Sequence, residues 1–209
     1  MRTSYNDLAP IVPVLREGGT KILLHVGCGT APRSRLPQCF QTSDWHEVRV
    51  DIDANVNPDI VATITDLSMI GSGSVHAVWS SHSVEHLEGY QVAPALKEFH
   101  RVLKPGGFAL ITVPDLKYVA RLILDGKADD VLYTSPAGPI TPLDMMFGHQ
   151  ASIAEGRHYM AHRTGFTADR LREKLVEGGF GEVRVMSGVA YDLWATAVRT
   201  EIELEPYEQ

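Results

Sequence analysis

"LLHVGCGTAPRSR", Leu23–Arg35, joins an apolar run to a glycine turn and then to a proline. Gly27 and Gly29 stand two apart, so a backbone leaving a buried strand could approach a ligand there with no Cβ in between. A dinucleotide fingerprint asks for a third glycine at the next turn, where a helix packs close and aims its N-terminus at a pyrophosphate. Ala31 and then Pro32 occupy that stretch instead. No Gly-Lys-Ser or Gly-Lys-Thr follows, which excludes a phosphate-cradling Walker loop. Two readings stay open for the loop alone: a tight turn with no ligand, or a site for a ligand without a pyrophosphate.

Apolar runs of strand length recur along the chain: Lys21–Val26, Glu47–Ile52, Asp59–Ile64, Val75–Ser81 and Gly107–Val113. Runs this apolar predict strands covered on both faces, as in a parallel sheet. Between the fourth and fifth, Val92, Leu96, Phe99 and Leu103 recur at helical spacing, and Pro105, Gly106 and Gly107 stop the helix. Pro94 falls near its start, where proline is tolerated. "DLKYVARLIL" (Asp115–Leu124) reads as a second helix. A third is expected after Thr167 as N-cap, with Leu171, Leu175 and Val176 as its apolar stripe and Gly178 and Gly179 at its end. Two strands, Glu182–Gly188 and Asp192–Arg199, close the pattern.

Residues 125–165 have no clear period, and a loop of that length in a compact fold is usually a lid or a binding loop. The expectation is a single α/β domain over 1–209, with 1–19 as an N-terminal arm, 125–165 as a lid or acceptor-binding insertion and 201–209 as an acidic tail.

Composition narrows the partners. Nineteen basic against 26 acidic residues give a formal charge of -7, which opposes attraction to a phosphate backbone, and no basic, aromatic-interleaved face marks an RNA or DNA reader. Cys28 and Cys39 are the only cysteines, too few for a disulfide framework, and they fit a reducing cytoplasm. No window approaches the apolar length of a membrane span.

Carboxylates sharpen the loop's reading. "VRVDID" places Asp51 24 residues beyond Gly27, close to the spacing at which an acidic side chain meets ribose hydroxyls, and "TITDLS" puts Asp66 after the next strand. A glycine turn without phosphate-binding features, beside two such carboxylates, describes a nucleoside site; either aspartate alone is as well explained as a turn residue or helix cap.

Taken together, these stretches resemble the class I S-adenosylmethionine-dependent methyltransferases, in particular the type 11 branch. "LLHVGCGT" is similar to their first motif, "VDID" to the second, "TDL" to the adenine-contacting segment, "SSHSVEHL" to the motif after strand four and "FHRVLKPGGFALITVPDL" to the fifth-strand motif. The resemblance implies a Rossmann-like, doubly wound seven-stranded sheet, mostly parallel with an antiparallel last strand, helices on both faces and a lid insertion. It implies S-adenosyl-L-methionine as cofactor, held by Gly27, Cys28, Gly29, Asp51, Ile52, Asp66, Leu67, Ser81 and His82. Of these, the two glycines would pass under the methionine portion, Asp51 would bind the ribose, Asp66 the adenine amino group, and Ser81 with His82 the methionine end. Two positions depart from the pattern: Ala31 replaces a glycine, and His25 stands where an acidic residue is usual.

Methyl transfer needs the nucleophile, methyl and sulfur held in line, and a hydroxyl acceptor also needs a base, for which histidine suits neutral pH. His82, His86 and His149 are the catalytic candidates. In the insertion, His149, His158, His162 and Arg163, with Arg157 and Tyr159, are placed to bind a small-molecule or glycan-related acceptor. His158 and His162 would share a helical face, but no carboxylate or cysteine accompanies them in the sequence, so no metal site is expected. A homodimer is compatible with the sequence. The alternatives are a nicotinamide-dependent oxidoreductase, against which Pro32 argues, and a non-catalytic nucleoside-binding subunit of the same fold.

Overall fold

The computed structural model describes residues 19–200; the expected arm, apart from Gly19, and the expected acidic tail lie outside the described residues. Seven strands form one sheet: β1 (Lys21–Val26), β2 (Trp45–Asp51), β3 (Ile60–Val61), β4 (Val75–Ser81), β5 (Leu103–Pro114), β8 (Glu182–Ser187) and β9 (Asp192–Val198). A hairpin of β6 (Tyr133–Ser135) and β7 (Gly138–Ile140) stands apart from it. The order is β3-β2-β1-β4-β5-β9-β8. The first five strands run parallel, and β9 runs antiparallel to both β5 and β8, as the resemblance implied.

Register decides where a site can form. Val26 pairs with Val50 and with Ser80, so Gly27, Asp51 and Ser81 leave the sheet along one carboxyl edge. The order reverses at β1, between β2 and β4, and ligands of open α/β sheets bind at such a switch point.

The alternation of side chains builds two cores. On one face Leu24, Val26, Val50, Val78 and Ile111 meet Leu96 and Phe99 of α1 (Val92–Val102) and Leu171 and Leu175 of α5 (Ala168–Glu177). On the other face Leu23, Trp79, Leu110 and Trp194 meet Leu36, which follows the 3₁₀ turn Arg33–Arg35, and Phe40, which ends the 3₁₀ turn Gln38–Phe40. Pro32, extended at φ -73 and ψ 158, opens the first of these turns, so no α-helix begins there. Trp79 is core, stacked on Trp194 at 5.5 Å.

The expected helices form, but α1 stops at Val102: Leu103, expected in its stripe, opens β5, which also takes in Pro105, Gly106 and Gly107, and Val176, expected in the α5 stripe, is exposed. Thr167 caps α5 by accepting from the Arg170 N–H, and Asp115 caps α2 (Leu116–Leu124) by accepting from Lys117 and Tyr118. The segment 125–165 holds more regular structure than its missing period suggested: the β6–β7 hairpin, α3 (Pro142–Phe147), α4 (Gln150–Ala154) and a 3₁₀ turn at His158–Met160. Each piece is too short to show a repeat. Val119, Ile140 and Met145 give it a small core of its own, while Phe147 is exposed.

Candidate functional site

After β1 the chain turns through Gly27 at φ +62 and Gly29 at φ +52, both left-handed. The two glycines answer different constraints. A Cβ on Gly27 would lie 2.1 Å from Ser83 Oγ, whereas one on Gly29 would meet nothing within 4 Å. Gly27 thus lets the loop close against the segment after β4, and Gly29 faces open space.

Hydrogen bonds hold the loop from β2. Asp51 Oδ2 accepts from the Gly29 N–H at 2.8 Å and its Oδ1 from the Asp53 N–H at 2.9 Å; the Cys28 N–H donates to Val50 O at 3.2 Å. Arg49 donates to Gly29 O at 2.6 Å and Ala31 O at 2.8 Å. His25 lies against this clamp, its Nδ1–H donating to Glu47 Oε1 at 2.7 Å, and that carboxylate is 3.6 Å from Arg49. Burial is the largest influence on His25 and keeps its pKa below the ordinary value despite Glu47, so the ring is neutral at pH 7. A carboxylate does stand beside position 25, that of Glu47 on the neighbouring strand.

Around Asp51, Ile52 exposes 62% of its surface, an apolar face beside a carboxylate. Asp66 is exposed and accepts from the Ser68 N–H at 3.0 Å; hydrogen bonding from Ser68 holds its carboxyl below the usual range. Leu67 differs from its expected role. Its side chain is in the core, and its N–H donates to Glu98 Oε2 at 2.8 Å, so neither is left for a ligand.

At the end of β4, Thr112 Oγ1 donates to Ser81 Oγ at 3.2 Å. His82 follows with φ +49, a left-handed conformation that few non-glycine residues adopt, histidine, asparagine and aspartate more often than others, and its N–H donates to Thr112 O at 3.0 Å. That geometry turns the ring onto Glu85: Nδ1–H donates to Oε1 at 3.1 Å. Burial alone would lower the His82 pKa, but the hydrogen bond and charge of Glu85 outweigh it and hold it above the ordinary value. Glu85 is 1% exposed; burial pushes its carboxyl up, and His82, His86 and His162 together bring it below the usual value. Its Oε2 has no hydrogen-bond partner.

The insertion crosses the same edge. Tyr159 Oη donates to Asp53 Oδ2 at 2.9 Å, two residues beyond Asp51. At the other side the N–H groups of Arg163 and Thr164 donate to Glu85 O at 2.9 and 3.2 Å, and the ring of His162 packs edge-on to that of His86, centroids 4.8 Å apart. The structure therefore brings His82, His86 and His162 to Glu85. It does not pair His162 with His158: the 3₁₀ turn ends at Met160, and His158 is exposed. His149 is drawn into the insertion's own frame, bonded through Nδ1 to Ser152 Oγ at 2.7 Å, which also accepts from Arg157 at 3.0 Å. Arg163 pairs with Glu88 at 2.9 Å. Glu47, Arg49 and Glu85 were not singled out as site residues in the sequence; Glu85 was signalled only by its place between His82 and His86.

Residues 24–111, from β1 to the middle of β5, match the family model of a methyltransferase domain, type 11. Over those residues the chain resembles the type 11 branch of the class I methyltransferases. No curated protein matches it at a significant level. The domain's fold is also similar to that of solved structures. They include a SAM-dependent methyltransferase from Methanosarcina mazei (15% identity, TM-score 0.58, covering 88% of this chain and 94% of that one). Another is an S-adenosylmethionine-dependent methyltransferase from Mesorhizobium loti (17%, 0.56, 93% and 96%). A possible exported protein from Bordetella parapertussis is matched over 88% of this chain but only 63% of its own (15%, 0.55). At these identities the likeness is one of fold. Neither the oxidoreductase nor the non-catalytic reading gains support from them.

Proposed function

We propose that the protein is a methyltransferase that binds S-adenosylmethionine across the β1, β2 and β4 edge and passes its methyl group to a small-molecule or glycan-related acceptor under the insertion. One observation carries the reading: a left-handed glycine pair of which Gly29 faces open space, the Asp51 carboxylate and the left-handed His82 share one edge, and Tyr159 ties the insertion across it. The residues fit a nucleoside. Ile52 offers an exposed apolar face to a base, Asp51 keeps lone pairs beyond its two backbone bonds for ribose hydroxyls, and Gly29 leaves room for the aminoacyl part.

The sulfonium supplies an electrophilic methyl, so the protein's work is alignment. The acceptor atom forms a bond to the methyl carbon as the carbon–sulfur bond breaks, its electron pair staying on sulfur. His82 is the group placed to take a proton from a hydroxyl acceptor: Glu85 fixes its Nδ1–H and so leaves Nε2 as the basic atom. His149, engaged within the insertion, has no part in this. The acidic balance of the chain fits an acceptor other than nucleic acid.

Thermal unfolding with added ligands tests the class of cofactor. S-adenosylhomocysteine is expected to raise the midpoint while NAD leaves it in place. Protection by NAD and not by S-adenosylhomocysteine would overturn the proposal.

A further inference from the structure

Among the described residues, Glu85, His86 and His162 each offer one ligand atom, and these atoms lie within 4.8 Å of one another. We infer that the three form a binding site for a divalent transition-metal ion, zinc first among them, whose open coordination positions take the acceptor's oxygen. The last clause rests on the methyltransferase reading; the metal site itself does not.

Three observations carry it. First, Glu85 Oε2 is buried and unpartnered, an anionic oxygen without a donor on the cluster side. A buried polar atom left unpaired costs stability, and a cation is the partner that would satisfy it. Second, each imidazole is already oriented. His86 Nδ1 lies 3.2 Å from Ala161 O, and His162 Nδ1 lies 2.9 Å from Met145 O. A carbonyl only accepts, so both Nδ1 atoms carry the hydrogen and both Nε2 atoms present lone pairs. Metal-ligating histidines are held in this way, with the second ring nitrogen donating to a carbonyl or carboxylate. Third, Glu85 is oriented as well: His82 Nδ1–H holds Oε1 at 3.1 Å and leaves Oε2 directed elsewhere.

The donor set decides the metal class. Two imidazole nitrogens and one carboxylate oxygen suit zinc and neighbouring transition ions rather than calcium or magnesium, which prefer all-oxygen shells. Donors around a tetrahedral zinc stand about 3.4 Å apart, given bonds of about 2.0–2.1 Å. Closing from 4.8 Å or less to that spacing asks for shifts on the order of 1 Å. Three protein ligands leave at least one position open, the arrangement of a catalytic site and not of a structural one. An acceptor hydroxyl bound there would be acidified, would give its proton to His82 Nε2, and would attack as the alkoxide while sulfur keeps the electron pair of the broken bond. The site also explains why the insertion is anchored here: one ligand comes from it and two from the segment after β4.

Calorimetric titration of the chelator-treated full chain with ZnCl2, and its visible absorption with CoCl2, tests the inference. One equivalent of either ion is expected, and Co2+ should develop the absorption of a low-symmetry nitrogen–oxygen site. His86→Ala, His162→Gln and Glu85→Gln should each weaken binding at least 100-fold, and His82→Ala, which removes an orienting partner, by about 10- to 100-fold. His158→Ala, on the exposed turn, should bind like the wild type. Should a variant fail to fold, proton spectra of the wild-type histidines decide: Co2+ should shift the ring signals of His86 and His162 first. No binding at micromolar metal, binding untouched by the His86 and His162 changes, or Co2+ acting first on other histidines would overturn the site. S-adenosylhomocysteine titrated against the same variants reads the cofactor edge separately, so failure of the metal site and failure of the methyltransferase reading are distinguishable.

Discussion

At the scale of single residues, the two glycines of the loop carry different burdens, and the difference is measurable. An alanine at either position adopts left-handed backbone at roughly 1–2 kcal/mol. Gly27→Ala adds a collision with Ser83 that Gly29→Ala avoids, so the first should lower the unfolding midpoint more; the reverse order, read by calorimetry, would contradict this packing. Burial pushes the Cys28 and Cys39 thiols up to about 11, so both should resist iodoacetamide at pH 8 in the native chain and react once it is unfolded. Rapid labelling of the native protein would show the loop to be open. His25 gives a pH signature. Its folded pKa lies below the ordinary 6.5, as does that of His100 through burial and the charge of Arg199, so the unfolded chain takes up protons first. The stability these rings contribute is complete above pH 6.5 and is lost as pH falls through their folded values. The midpoint should drop between pH 6.5 and 5, and less so in His25→Gln; a midpoint flat over that range would count against neutral buried rings.

At the scale of elements, the strands and their connecting helices were legible because burial on both faces writes unbroken apolar runs, and because α1 and α5 carry plain stripes. The insertion was not, since three- to six-residue pieces show no period. Its attachment depends on points that no local pattern reveals. Gly148 at φ +93 bridges to Ala161, and a Cβ there would fall 2.1 Å from Met160 O. Gly148→Ala should therefore free the insertion without unfolding the sheet, seen as early proteolysis between residues 125 and 165 with the global midpoint nearly kept; loss of the whole fold would mean that the insertion is no separate unit. By contrast, Asp115→Ala removes the α2 cap and should cost about 1 kcal/mol. The same limit hid the cluster at Glu85. His86 was readable as a candidate, but its meeting with His162 is set by how the insertion folds back over β4, and the sequence pointed instead to His158 and His162 on one helix.

At the scale of the whole molecule, the sheet order and register do the positioning: parallel strands deliver Gly27, Asp51 and Ser81 to one edge, and the insertion spans it from Asp53 to Glu85. His25, one of the two residues that depart from the family pattern, meets a carboxylate only in this frame, because the neighbouring strand brings Glu47 to it. Among the described residues no helix is long and apolar enough to cross a membrane, and the net charge of -7 predicts no retention on DNA or RNA at physiological salt. The central claim is that this edge holds the nucleoside of S-adenosylmethionine through Asp51. Calorimetric titration of the wild type and of Asp51→Ala with S-adenosylhomocysteine tests it most directly. The account predicts binding by the wild type and a loss of about 1.5–3 kcal/mol in the variant, roughly 10- to 150-fold, with the fold intact by circular dichroism. Wild-type binding that survives the substitution unchanged, or no binding by the folded wild type, would contradict it.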